Sequence, residues 1–99
     1  MAETILVVDD EPANRELLEG MLTRAAYRVE CADGGAATLT RAAEAPPDLI
    51  LLDLMMPGMN GFEVCQRLRA SAATETIPVI VVTAYGEMAR KEAALLTTA

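Results

Sequence analysis

The chain has 99 residues, 53% of them apolar, with 8 basic and 15 acidic side chains giving a formal net charge of −7. This composition predicts one domain spanning 1–99, with enough apolar content to build a core. The acidic balance and the lack of any basic run argue against direct binding to nucleic acid or an anionic membrane, and no apolar run approaches the ~20 residues of a membrane span.

The start, Met1-Ala2-Glu3-Thr4, is acidic and leads straight into a strand, so it does not read as a signal peptide. Cys31 and Cys65 sit singly in apolar patterns, without C-x-x-C spacing and without any histidine in the chain. Free thiols in a reducing cytoplasm are expected, with a disulfide as the alternative, and a structural zinc site is excluded.

Thr4 to Val8 is a short β-branched run that reads as a buried strand. It ends in Asp9-Asp10-Glu11-Pro12, where proline suits the first helical position and a preceding Asp suits a cap. Leu17, Leu18, Met21, Leu22 and Ala25 then form one apolar helical stripe, with Arg15, Glu16, Glu19 and Arg24 expected on the outer face. Tyr27 to Ala32 alternates as a strand with one face nearer water, and Asp33-Gly34-Gly35 breaks it. Ala36 to Ala45 reads as a helix stopped by Pro46-Pro47.

Asp48 to Asp53 follows as a continuous apolar run ending in one carboxylate, the pattern of a strand buried on both faces. Its loop turns through Pro57-Gly58 and Asn60-Gly61. Gly61 to Ala72 reads as a helix with Phe62, Val64, Cys65 and Leu68 inward. Val79 to Val82 is a fourth buried strand ending at Thr83-Ala84, and Glu87 to about Leu96 reads as a last helix.

Strands alternating with helices imply a parallel α/β sheet with right-handed crossovers. The carboxyl ends of parallel strands share one edge, where open α/β sheets bind ligands. If strands one, three and four are neighbours, Asp9, Asp10, Asp53 and Thr83 converge there. Clustered carboxylates repel one another and raise at least one pKa, and a hard divalent cation removes the conflict. An all-oxygen donor set favours Mg²⁺. Asp53 can then act as a nucleophile towards phosphorus, with Thr83 donating to a phosphoryl oxygen. Simpler roles stand beside these: Asp53 as a turn starter, Asp10 as a helix cap, Thr83 as an ordinary strand end.

The segments I-L-V-V-D-D-E-P at 5–12, L-I-L-L-D-L-M-M-P-G-M-N-G at 49–61 and I-P-V-I-V-V-T-A at 77–84 resemble the receiver domain of two-component response regulators. The loop sequence is similar to receivers of diguanylate-cyclase-type and cell-cycle regulators. The resemblance implies a flavodoxin-like, doubly wound parallel sheet with the four strands in order 2-1-3-4. It implies Asp53 as phosphoacceptor from a sensor histidine kinase or phosphotransfer protein. Asp10, Asp53 and the Met55 backbone carbonyl would hold Mg²⁺, Asp9 would act mainly through a metal-bound water, and Thr83 would be the switch hydroxyl. Met55, Met56 and Met59 are expected to be packing residues.

Family members continue into a fifth strand bearing a phosphate-contacting lysine, then a fifth helix. These 99 residues end at Leu95-Leu96-Thr97-Thr98-Ala99, and the single lysine, Lys91, falls in the expected fourth helix. The expectation is therefore slower phosphotransfer and an apolar edge at Val79–Val82 favouring a homo-oligomer, a twofold dimer through strand four or by segment exchange. Two readings result: a phosphorylatable receiver, or a receiver-derived assembly module. A haloacid-dehalogenase-type phosphohydrolase would want Asp where Met55 stands, and no G-x-G-x-x-G supports a dinucleotide site. The chain is not expected to be an enzyme.

Overall fold

The computed structural model describes residues 2–82. Within them β1 (Thr4–Val8), α1 (Pro12–Arg24), β2 (Arg28–Ala32), α2 (Gly35–Glu44), β3 (Leu49–Asp53), α3 (Gly61–Arg69) and β4 (Val79–Val82) alternate along the chain. The strands form one parallel sheet in the order β2-β1-β3-β4. This is the doubly wound order that the resemblance implies. Thr83, the helix expected over 87–96 and Lys91 lie outside the described residues.

Register fixes two faces. Leu6 pairs with Ile50 and Val8 with Leu52, while Ile50 pairs with Val79 and Leu52 with Val81. These six side chains pack with Ala42 of α2 and Val64, Cys65 and Leu68 of α3 into the main core. Fully burying such a side chain contributes about 1.5–3 kcal/mol, so this face supplies most of the stabilisation.

The opposite face is covered unevenly. Beneath α1, Ile5 and Val7 are buried, whereas Ile80 and Val82 on β4 are 48% and 42% exposed. The sequence led us to expect β3 and β4 to be buried on both faces. Instead Leu49 and Leu51 are half-buried and β4 alternates between buried and exposed. The cause is that α1 packs on β2 and β1, leaving the far side of this face open among the described residues.

For the same reason α1 has no buried residue, and Leu17 and Met21 of its apolar stripe are 63% and 56% exposed. Arg15 departs from its expected place on the outer face: it is half-buried and turned towards the end of β1. Cys31 and Cys65 are free thiols, and burial pushes both upward in pKa.

Candidate functional site

Asp53 is the last residue of β3, and pairing Val8 with Leu52 sets Asp9 level with it across the sheet. Asp9 is buried, Asp53 half-buried and Asp10 exposed. One carboxylate oxygen from each of the three lies within 4.8 Å of the others. The convergence expected of Asp9, Asp10 and Asp53 is therefore present.

Asp9 is tied down on three sides. Its amide donates to the Ala32 carbonyl at 3.2 Å, and its Oδ1 accepts the Glu11 amide at 2.9 Å. Its own carbonyl accepts from Nη1 of Arg15 at 2.7 Å. Asp10 does not cap α1: the cap position is Glu11, without a side-chain cap hydrogen bond, and Pro12 opens the helix. A cap at position 10 would accept from the amide two or three residues on, and Pro12, two residues on, has no N–H to offer.

The loop after Asp53 is pinned by its own side chains. Leu54 and Met56 are buried in the core, and Met59 packs against it. Gly58 adopts φ 76°, a left-handed conformation that glycine takes without steric cost. Asn60 then caps α3, its Oδ1 accepting the Glu63 amide at 3.0 Å. Met55 differs from the expectation of packing, being 54% exposed, because the strand has ended and the turn aims it outward. Its amide donates to Asp53 Oδ1 at 3.2 Å, which brings the Met55 main chain beside the carboxylate.

Asp53 has its pKa raised to about 6. Burial is the main cause; the Met55 amide opposes it, and the charges of Asp9 and Asp10 add to it. A carboxyl that titrates at about 6 with two further acids at hand is a site short of positive charge. The donors are all oxygens and among the described residues this is the one such acidic group, so a hard divalent cation fits.

Arg15 escaped the sequence reading because helical periodicity placed it with the polar face. A usable signal was present: it is a cation one turn after the run Asp9-Asp10-Glu11, within reach of the end of β1. Thr83, the remaining expected site residue, lies outside the described residues.

Comparison with known proteins places this arrangement among relatives. The sequence profile of the response regulator receiver domain matches residues 5–99. Response regulator PleD of Caulobacter vibrioides is 51% identical over 84 residues, 85% of this chain and 18% of that protein. The signal transduction histidine-protein kinase BarA of Escherichia coli is 38% identical over 92 residues, 93% of this chain and 10% of that protein. The chain thus spans less than a fifth of the length of either relative. Response regulator protein TrrA from Thermotoga maritima, in complex with Mg(2+)-BeF, aligns with a TM-score of 0.85 and 33% identity, covering 97% of this chain and 82% of that one.

Proposed function

Because this chain belongs to the response regulator receiver domain family, we propose that Asp53 is its phosphoacceptor, taking a phosphoryl group from a histidine of a sensor kinase or phosphotransfer protein. The observation that carries this is the cluster of Asp9, Asp10 and Asp53 oxygens within 4.8 Å at the strand ends. In the transfer an Asp53 oxygen forms a bond to phosphorus while the bond from phosphorus to the donor nitrogen breaks, that nitrogen keeping the electron pair.

The residues divide the work. The Met55 amide on Oδ1 orients the Asp53 carboxylate and stabilises its ionised form. We assign Oδ2 as the attacking oxygen. Asp9, Asp10, Asp53 and the Met55 carbonyl would hold Mg²⁺, which when bound offsets negative charge on the phosphoryl oxygens. The Mg(2+)-BeF complex of TrrA supports this choice of ion. Thr83 would donate its hydroxyl to a phosphoryl oxygen, one residue beyond β4.

We read residues 1–99 as one phosphoacceptor signalling domain of the cytoplasm, not an enzyme in its own right. No helix among the described residues is long and apolar enough to cross a membrane. The test is incubation with a small phosphodonor such as acetyl phosphate and Mg²⁺, read by intact mass. One phosphoryl group is gained by the wild type and none by Asp53→Asn; equal gain by both would reject Asp53 as the acceptor.

One observation favours a second reading, an assembly module: Leu17, Met21, Ile80 and Val82 are large, apolar and exposed. This reading expects a dimer through the β4 side, and Ile80→Lys to convert it to a monomer by light scattering. A wild-type monomer at micromolar concentration would end it.

A further inference from the structure

Arg15 forms an unusual bond for a cation so placed. It lies in the early turns of α1, close behind the acidic run Asp9-Asp10-Glu11, where an ion pair is the ordinary expectation. The chain has 15 acidic side chains, and Glu16 and Glu19 line the same cleft as Arg15. Yet Arg15 makes no ion pair among the described residues; the one ion pair there joins Arg41 and Glu30. Its Nη1 is instead committed, at 2.7 Å, to the main-chain carbonyl of Asp9.

That carbonyl belongs to a residue whose other bonds run through the same turn. The Asp9 amide is held by Ala32 of β2, and Asp9 Oδ1 by the Glu11 amide. Removing Arg15 frees the third corner of this frame. The peptide after Asp9 can then rotate, the Glu11 amide moves with it, and the carboxylate loses the bond that fixes its rotamer.

We infer that Arg15 is a positioning residue of the acidic site, acting through the Asp9 main chain to aim the Asp9 carboxylate at the cation position. This rests on the proposed Mg²⁺ site. Two effects of the guanidinium oppose each other, which makes the sign informative. As a nearby positive charge it repels a cation and weakens its binding. As a clamp it pre-organises a ligand, and partners of metal ligands typically change affinity about 10–100-fold when removed. The 2.7 Å bond to the Asp9 carbonyl makes the clamp the direct effect, and the expected sign follows it: loss of Arg15 weakens the metal.

The experiment is calorimetric titration with Mg²⁺ of the wild type, Arg15→Met, Arg15→Lys and Arg24→Met, paired with hydrogen exchange of the Glu11 amide in the absence of metal. Arg24 is exposed in the last turn of α1 and controls for loss of one positive charge. The expected result is about tenfold weaker binding and faster Glu11 exchange in Arg15→Met. Arg15→Lys, which keeps one donor, recovers most of both, and Arg24→Met matches the wild type.

Equal or tighter Mg²⁺ binding by Arg15→Met, or unchanged exchange at Glu11, would overturn the inference. A wild type that binds no Mg²⁺ would reject the proposed metal site instead, and the Glu11 amide then still decides the positioning role. If Arg15→Met does not fold, Arg15→Gln, two bonds too short to reach the Asp9 carbonyl from the same backbone, carries the same comparison and is expected to show the same losses.

Discussion

A Cβ at Gly61 would stand 2.9 Å from the carbonyl oxygen of Asp53, and the Gly61 amide donates to the Leu54 carbonyl at 2.9 Å. The first residue of α3 thus rests against the peptide that carries the phosphoacceptor candidate. Only a hydrogen fits there, and the atoms opposing it are main chain, which cannot swing away as a flexible side chain would. Gly61→Ala is expected to destabilise the fold by roughly 1–3 kcal/mol, as overpacking does, and to weaken metal binding by displacing Asp53. Urea unfolding with a Mg²⁺ titration measures both. An alanine variant as stable as the wild type would show that the β3–α3 turn yields easily.

The raised pKa of Asp53 makes stability depend on pH in a defined sense. In the folded chain the group titrates at about 6, against an ordinary value of 3.8, so the native state binds the proton more tightly than the unfolded state. Its contribution is complete below the ordinary value and is lost as pH rises through about 6. Without metal, the wild type should therefore lose stability between pH 4 and pH 7 relative to Asp53→Asn. Saturating Mg²⁺ should reverse the difference, because it binds the ionised cluster. Urea midpoints of both proteins across this range test the sign, and parallel curves without metal would contradict it.

Ala26 holds φ 71° just after α1, where its amide donates to the Thr23 carbonyl at 3.0 Å. A side chain in the left-handed region costs about 1–2 kcal/mol, and exchanging alanine for glycine loses about 0.5–1 kcal/mol of chain entropy. The first effect wins. Ala26→Gly should raise stability by up to ~1 kcal/mol without altering Mg²⁺ affinity, as thermal and calorimetric measurements would show.

Much of the frame was legible because each signal had one strong cause. The β-branched run Thr4–Val8 and the run Val79–Val82 fall where expected, since short apolar segments between breakers have little other choice. The acids at the ends of β1 and β3 converge because parallel strands share their carboxyl edge. What periodicity missed is tertiary. It assigned Leu17 and Met21 to the core because they lie on one stripe, yet a stripe is buried only where something faces it. It sent Arg15 outward because charge is usually solvated, and nothing local announces a bond to a carbonyl six residues earlier. Helix α3 stops at Arg69 rather than running on to 72. Beyond it Arg69 Nη1 donates to the carbonyls of Glu75 and Ile77, tying the turn that follows to the helix end, a side-chain contact invisible to helix propensity.

The role of Asp53 is tested most directly by titration with beryllofluoride, which stands in for the phosphoryl group on a carboxylate, in the presence of Mg²⁺, comparing the wild type with Asp53→Asn by fluorine NMR. Phosphoacceptance at Asp53 requires a saturable bound signal for the wild type that depends on Mg²⁺ and is missing from the asparagine variant. A signal of equal strength in both proteins, or none in a folded wild type, would contradict it.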